Sequence, residues 1–363
     1  MRKKPTLCFI GNLIGRNPGF ITTQGEILSD LFEKDGFEVV SASSNLNPVI
    51  RLFDVLRTIV GNARKIDILI IDVFSGRAFM LAEFASLLGK VFRIPSVLVL
   101  RGGNLPEFTE EHRSRVCRVL ARADSLVAPS TFLSAEMSPF GMTAEVIPNS
   151  IPIDGYSYRH RNVVSPSLIW MRSFHEIYNP HLALDAFALV KKEHREATLV
   201  MAGVDKGLEE SVKTKADEMG LAESVRFPGF LDLSGKNEEF SKADIYLNTN
   251  RIDNMPVSVV EACAMGLPVV ATNVGGLPYL LTHGETGLLV DSEDAEQMAD
   301  AVLQLLSDPD LSERLSRNGR KLAERSSWKQ VRKDWEHLFD RILDRKGLTE
   351  SESSGKALVG DRR

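Results

Sequence analysis

The sequence predicts an α/β protein with two doubly wound Rossmann-like domains, and three observations lead to this fold. Apolar runs of strand length alternate with helical patterns along almost the whole chain. Such continuous Val, Ile and Leu runs are typical of parallel strands that are covered on both faces. The chain has 363 residues, enough for two cores, and residues 152–167 lose the periodicity. We therefore expect two domains, with sites at the carboxyl ends of their strands.

The strands are expected in the same order in each half of the chain. The predicted runs are residues 6–10, 37–42, 66–73, 96–100, 125–130 and 144–148, then 167–171, 197–203, 225–230, 244–249, 268–272 and 287–290. Residues 329–345 form an amphipathic helical pattern after the last strand. The buried positions expected along this pattern are Trp328, Val331, Trp335, Leu338 and Phe339. Residues 346–363 are polar and rich in Gly and Ser, which favours a disordered tail.

Composition and charge limit the partners and the cellular locations that we expect for this chain. The formal net charge of −5 argues against nucleic acid as a partner. Cys8, Cys117 and Cys263 lack metal-ligand spacing and suit buried positions in a reducing compartment. The first apolar run is broken by Gly11 and Asn12, which indicates a strand and not a signal peptide. No window approaches the roughly 20 apolar residues of a membrane span, so we expect a cytoplasmic protein.

The segment from residue 243 to residue 291 carries the most information about function. Asn254 can cap a helix, Pro256 suits its first position, and Gly266 ends it. Asp253 would then lie at the mouth of the helix, with Glu261 about 7–8 Å further along its axis. That separation suits a ligand with hydroxylated groups at both ends and a diphosphate between them, facing the amides at the helix start. A nucleotide sugar fits this description.

The same segment closely resembles the signature of family-4-type retaining glycosyltransferases of the GT-B fold, also called glycosyl transferases group 1. The stretches VVEACAMGLPVVAT, VGGLP and GETGLLV follow in the order and spacing of that family. One position departs from the pattern, because Asp253 stands where the family usually has Glu. The shorter acid still accepts hydrogen bonds, but its reach to a sugar hydroxyl is reduced.

The resemblance extends over residues 5–345 and implies an architecture. It implies an acceptor-binding domain at residues 1–157, a donor domain at residues 158–328 facing it across a cleft, and a helix at 329–345 that returns to the first domain. It also implies metal-independent transfer with retention, no cofactor, and a leaving phosphate that itself takes the acceptor proton. The donor would be a UDP- or GDP-sugar. The acceptor would be a glycan or lipid-linked hydroxyl in polysaccharide or glycolipid synthesis, with peripheral association at the inner face of a membrane.

Two arginines and Asp253 are the catalytic candidates that the resemblance supplies. Arg172 takes the place of the family's phosphate-binding arginine, and its guanidinium fork matches a diphosphate. The lysine that follows in relatives is missing, and Tyr178 and Asn179 occupy that place. Arg101 stands where many relatives have a histidine, so it would bind phosphate or acceptor. A salt bridge from Arg101 to Glu107 or Glu110 is the alternative.

Further positions are expected around the donor. Glu261 would hold the ribose diol, Phe230 lies in the loop expected to cradle the base, and Gly203 lies in the strand end beside the phosphates. Gly19 belongs to a glycine loop that does not match the dinucleotide G-x-G-x-x-G spacing. The donor-binding candidates are Glu261, Asn254, Met255, Pro256, Val257, Gly203, Phe230 and Gly19.

Other interpretations remain open from the sequence. The exchanges at Asp253 and Arg101 and the absent lysine also suit a catalytically degraded homologue that binds sugar nucleotides or a partner protein. A GT-B epimerase or phosphorylase has no support from any motif. The apolar segment at residues 49–60 suits a membrane-surface face, but its spacing favours a helix packed on the first sheet.

Overall fold

The computed structural model describes residues 4–15, 17, 20 and 22–359, with side chains described as far as Lys346. The chain divides into two compact units. Residues up to Ser150 and from Lys329 onwards make the first unit, and Ile151–Trp328 make the second. The division comes earlier than the boundary expected after residue 157. The apolar side chains of Ile151, Ile153 and Tyr156 explain this difference, because they are buried in a core of the second unit.

The first unit contains a parallel sheet of six strands in the order β2-β1-β3-β4-β5-β6. Its strands are β1 (Leu7–Ile10), β2 (Val39–Ala42), β3 (Ile68–Val73), β4 (Ser96–Leu100), β5 (Ser125–Ala128) and β6 (Glu145–Val146). Its connecting helices are α1 (Gln24–Lys34), α2 (Pro48–Asn62), α3 (Phe79–Phe92), α4 (Leu105–Glu111), α5 (Arg113–Leu120) and α6 (Thr131–Met137). β3 and β4 are buried along their whole length, as expected for central strands covered on both faces.

The second unit repeats this architecture with strand order β12-β11-β10-β7-β8-β9. Its strands are β7 (Ser167–Met171), β8 (Thr198–Ala202), β9 (Val225–Gly229), β10 (Ile245–Asn248), β11 (Val269–Thr272) and β12 (Leu288–Val290). Its helices are α7 (Pro180–Glu193), α8 (Glu209–Glu218), α9 (Leu233–Lys242), α10 (Val257–Ala264), α11 (Leu277–Leu280), α12 (Ala295–Ser307) and α13 (Pro309–Glu324). Every predicted strand is present, and both sheets reverse their strand order in the doubly wound manner.

The final helix, α14 (Trp328–Val359), supplies part of the first unit's core. Four of its expected positions are buried, Trp328 is only half-buried, and the sequence analysis missed the buried Ile342. The Phe339 ring lies 5.5 Å from the ring of Phe32 in α1. The tail predicted to be disordered from residue 346 is helical as far as Val359. Residues 346–359 contain no proline that would interrupt the helix.

The helix starts follow local sequence signals. α1 begins after Thr23, whose hydroxyl accepts a hydrogen bond from the Glu26 amide, while the Glu26 carboxylate accepts one from the Thr23 amide at 2.7 Å. This capping box satisfies donors that have no partner within the helix. None of the described helices is long and apolar enough to cross a membrane. Cys8 and Cys263 are buried as expected, whereas Cys117 is half-buried.

Candidate functional site

The carboxyl end of β7 places Arg172 at the centre of a polar cluster in the second unit. The Arg172 guanidinium donates to the Asp253 carboxylate at 2.5 Å and to the Ser258 hydroxyl at 3.3 Å. Its central carbon lies 3.9 Å from the ring centroid of Tyr178, which is cation–π distance. The guanidinium is therefore held by an acid, a hydroxyl and an aromatic ring. The sequence analysis named Arg172 and Asp253 as separate site residues without predicting their contact, and it missed Ser258.

The cluster also contains polar atoms without partners. Burial alone would lower the pKa of Arg172, but the negative charges around it, Asp253 first, outweigh burial and raise that pKa. The guanidinium is therefore firmly cationic. Among the described residues, the buried Arg172 Nε, Asn248 Nδ2 and Asn250 Oδ1 have no hydrogen-bond partner. Buried polar groups are rarely left unpaired, so this cluster retains capacity to bind a polar ligand.

The Asp253 carboxylate is fixed from several sides. Besides Arg172, it accepts a hydrogen bond from Asn250 Nδ2 at 2.7 Å. Its other oxygen accepts from the Asn254 backbone amide, also at 2.7 Å. The carboxylate is consequently oriented by two side chains and one amide before any ligand arrives.

The start of α10 corrects one prediction from the sequence. Pro256 is the residue that precedes the helix and Val257 is its first member, whereas Asn254 had been expected as the cap. The physical reason is a turn at residues 253–254, where Asp253 binds the amide of Asn254. The helix ends as expected before Gly266, which has a φ of +79°.

Glu261, on the same helix as Ser258, is held by two side chains that the sequence did not reveal. The Tyr156 hydroxyl donates to Glu261 Oε1 at 2.7 Å, and Lys236 Nζ lies 2.9 and 3.0 Å from the two carboxylate oxygens. Burial, and then the neighbouring charge of Glu261, raise the pKa of Tyr156, so it remains a donor. The carboxylate is buried and ionically paired. Its charge also contributes to the raised pKa of Arg172.

Three glycines bring backbone segments together around these side chains. A Cβ at Gly203 would lie 1.8 Å from the Arg172 carbonyl oxygen. A Cβ at Gly276 would lie 1.6 Å from the Asn254 carbonyl oxygen, and one at Gly275 would lie 2.3 Å from that of Asp253. Gly203 therefore lies against the backbone of Arg172, while Gly275 and Gly276 permit close approach to the backbone of residues 253–254.

The remaining donor-binding candidates lie around the same strand ends. Phe230 directly follows β9 and is 57% exposed, so its loop is open to solvent. Met255 is half-buried, and Val257 opens α10. His175 is a loop residue, because its Nδ1 accepts a hydrogen bond from the Ile177 amide. Gly19 lies outside the described residues.

Arg101 has a different environment in the first unit. Its Nε donates to Asp72 at 2.8 Å, and its NH1 donates to Asn149 Oδ1 at 2.8 Å. The alternative prediction of a salt bridge from Arg101 to Glu107 or Glu110 was wrong. Because β3 and β4 are neighbours in the sheet, Asp72 lies closer to Arg101 than the acids that follow it along the chain.

Glycines make room for this ion pair. A Cβ at Gly25 or at Gly11 would lie 2.6 or 2.9 Å from the Asp72 carboxylate oxygen. Two glycines of the N-terminal loop and helix therefore accommodate a buried carboxylate of the neighbouring strand. Among the residues that the structure describes, no group of three or more His, Cys, Asp or Glu side chains could hold a metal ion.

Comparison with known proteins identifies the second unit. Residues 164–322 match the family model described as Glycosyl transferases group 1. The matched residues lie within the second unit. The phosphatidyl-myo-inositol mannosyltransferase of Mycobacterium leprae is 30% identical over 57% of this chain and 56% of its own length. The D-inositol 3-phosphate glycosyltransferase of Corynebacterium urealyticum is 30% identical over 49% of this chain and 44% of its own length. The chain thus spans about half the length of the curated relatives that it matches.

Solved structures extend the likeness to both units of the chain. Sucrose-phosphate synthase from Thermosynechococcus elongatus superposes with a TM-score of 0.77 at 16% identity, covering 94% of this chain and 100% of that chain. Anabaena HepE, solved in complex with UDP, gives 0.73 at 16% identity over 93% of this chain and 100% of its own. The predicted GT-B fold of two Rossmann-like domains is confirmed.

Proposed function

We propose that this protein transfers a sugar from a nucleotide diphosphate sugar to a hydroxyl acceptor with retention of configuration. The arrangement of Arg172 carries the proposal. Its guanidinium is fixed by Asp253, Ser258 and Tyr178, and its Nε is still unpartnered. A fixed cation at the end of a strand suits a leaving group that gains charge as the sugar bond breaks.

Each part of the donor has a proposed contact. Arg172 and the amides at the start of α10 would bind the diphosphate. Asp253 would accept a hydrogen bond from the sugar, and Glu261 would accept bonds from the ribose diol, with Lys236 yielding part of its contact. Backbone near Phe230 and Gly203 would lie beside the base and the phosphates.

The chemical step needs little from the protein beyond position and charge. We propose that the leaving phosphate takes the proton of the acceptor hydroxyl, so no side chain acts as a general base. The protein orients the sugar and stabilises the developing charge. Arg101 remains a proposed contributor from the first unit, while its pairing with Asp72 gives it a structural role as well.

The donor base is proposed from relatives. HepE was solved with UDP, and a mannosyltransferase of Mycobacterium tuberculosis, 28% identical over 44% of this chain, is described as GDP-mannose-dependent. UDP- and GDP-sugars are therefore the donors to test first. Glycolipid or polysaccharide intermediates are the proposed acceptors, at the inner face of a membrane with which the cytoplasmic protein associates peripherally.

A thermal-shift panel with UDP, GDP, ADP and their sugars tests donor recognition. We expect one nucleotide family to raise Tm, and the same nucleotide sugar to be consumed when a lipid-linked acceptor is added. Proton NMR of the product should show the anomeric configuration of the donor. Stabilisation without hydrolysis or transfer would favour the sugar-nucleotide-binding alternative.

We also propose that transfer is independent of a divalent metal, since Arg172 and fixed backbone donors supply positive charge at the diphosphate. Turnover should survive treatment with EDTA. Loss of activity that magnesium or manganese restores would contradict this part of the proposal.

A further inference from the structure

The largest set of exposed apolar side chains that the described structure shows lies on one side of the first unit. α2 packs directly against α3, and both connect parallel strands. Val55 and Ile59 of α2 are fully buried in the core of this unit. The preference for a helix packed on the first sheet was therefore correct for that face of α2. This result does not extend to the opposite face of α2.

The outward face of α2 is apolar. Val49, Ile50, Phe53 and Val60 are all exposed, Phe53 to 67%. At 100° per residue, Val49, Phe53 and Val60 fall on the side of the helix opposite the buried Val55. An exposed phenylalanine flanked by three exposed aliphatic residues is unusual on a surface that water alone would cover.

α3 presents a matching stripe. Met80, Phe84, Leu87 and Val91 are exposed and recur at helical spacing along one side of this helix. The stripe lies opposite the buried residues Ala82 and Ala85. Because α2 and α3 are neighbours and both bury their other sides, the two stripes form one surface. We call it the α2–α3 apolar face.

The exposed charges in the stretch that forms this face are predominantly basic. The structure describes all of residues 46–93, and their exposed basic residues are Arg57, Arg64, Lys65, Arg77, Lys90 and Arg93. Asp54 is the exposed acid of the same stretch. Arg57 falls on the outward side of α2, between Phe53 and Val60. The protein as a whole has a net charge of −5, so this basic surface is a local departure from the rest of the chain.

We propose that the α2–α3 apolar face docks on an anionic lipid surface. Apolar side chains would enter the interface while the surrounding basic residues meet lipid headgroups, as in interfacial amphipathic helices. A second copy of this chain would present the same basic face, so self-association would bring like charges together. The charge pattern therefore favours lipid over a symmetric dimer.

This inference deepens the membrane association suggested above, but its test requires no turnover. The full chain is sedimented with vesicles of phosphatidylcholine and phosphatidylglycerol in equal parts, and with phosphatidylcholine alone. We expect binding to the anionic vesicles only, weakening as salt is raised. Absence of binding to anionic vesicles would overturn the inference, whereas a failed transfer assay alone would leave it unaffected.

Two matched pairs of variants locate the surface. Val91 and Val163 are 64% and 65% exposed, but Val163 lies in the second unit. Val91→Asp should weaken vesicle partitioning about tenfold, because one buried valine is worth about that factor. Val163→Asp should leave partitioning unchanged. Equal effects of the two would overturn the assignment to this face.

Two triple variants, one in each unit, test the contribution of the basic residues with the same matched design. Arg57→Gln, Arg64→Gln and Lys90→Gln combined should lower binding more than tenfold and flatten its salt dependence. Lys192→Gln, Arg195→Gln and Lys321→Gln combined remove the same charge from exposed positions of the second unit. That control should change binding far less. Light scattering in solution tests the alternative that a second copy of the chain binds this face. A dimer that dissociates in the Phe53→Asp variant would identify a protein interface and overturn the lipid proposal.

Discussion

Each of the two sheets has an arginine directly after a buried strand, paired with an aspartate that lies in the neighbouring strand or in the loop that follows it. Arg101 follows β4 and pairs with Asp72 in β3, while Arg172 follows β7 and pairs with Asp253 beyond β10. The two arginines differ in their remaining contacts. Arg101 continues to Asn149, whereas Arg172 keeps an unpartnered Nε beside other unpaired polar atoms. The same ion pair therefore serves a structural role in one unit and leaves binding capacity in the other.

The largest expected effect is on stability, in the first unit. Arg101→Ala would leave the buried Asp72 carboxylate without its cation, at a cost of about 3–5 kcal/mol in the free energy of unfolding. Urea denaturation measures this loss. Adding Asp72→Ala in the same background should recover part of it, because the unpaired charge is then removed. An Arg101→Ala variant with native stability and lost turnover would instead give Arg101 a purely catalytic role.

The corresponding change in the second unit should act on rate. Arg172→Ala should lower kcat about 100-fold or more, with a smaller rise in the donor KM, because its interaction strengthens towards the transition state. Steady-state kinetics with the donor identified by thermal shift checks this. Arg172→Lys is the control, since it keeps the charge and loses the planar fork. Near-normal kcat in Arg172→Ala would remove the principal cation from the proposed mechanism.

Substitution of Glu261 should lower the affinity of the protein for the donor nucleotide. Glu261→Gln keeps the shape but weakens charge-assisted acceptance, which should cost about 1–3 kcal/mol in nucleotide binding. Calorimetry with the cognate nucleoside diphosphate measures the change. Glu239 is a suitable control, because it is also buried in the second unit and paired with an arginine, Arg226. Glu239→Gln should bind with unchanged affinity, and equal losses in both variants would contradict the assignment.

A smaller effect should separate the ring of Tyr178 from its hydroxyl. Tyr178→Leu removes the face on which Arg172 rests, worth about 0.5–2 kcal/mol, and should lower kcat accordingly. Tyr178→Phe retains the face and should stay close to the original rate. A larger loss in the phenylalanine variant would show that the hydroxyl, not the ring, serves the reaction.

A further expected effect is common to both units and depends on pH. Burial raises the pKa of the Cys8 and Cys263 thiols to about 12 from 9.0. The unfolded chain releases these protons first, so the free energy of unfolding should fall as pH rises from 9.0 towards 12. Urea titrations across that range should show this slope, and replacing both cysteines with alanine should flatten it. A slope that is unchanged in the double alanine variant would contradict the assignment of this pH dependence to Cys8 and Cys263.

The sequence predicted those parts of the molecule that depend on local pattern. Both sheets and the helix ending at Gly266 followed from apolar runs, and motif register singled out Arg172 and Asp253, although it did not predict that they pair. The Glu261 contacts did not, because Tyr156 and Lys236 lie 105 and 25 residues away along the chain. Their meeting depends on how separate elements pack, which no local pattern encodes.

The same limit explains the errors. Acids that follow Arg101 in the chain were expected to pair with it, but the partner lies on an adjacent strand 29 residues earlier. Asn254 looked like a helix cap because its residue type suits one, yet the turn made by Asp253 moves the helix start. The polar residues at the end of β10, Asn248 within the strand and Asn250 just beyond it, could have been noticed, since polar residues at the carboxyl end of a buried strand often mark a site.

The position of α14 has a consequence for synthesis on the ribosome. Phe32 belongs to the first unit, yet its aromatic neighbour Phe339 emerges on the order of 300 residues later, which at typical rates of protein synthesis takes roughly 15–60 s. The second unit is continuous in sequence and has all its strands before then. The nascent first unit must therefore wait with an apolar surface uncovered, so a ribosome-associated chaperone would protect this half of the chain for longer than the other.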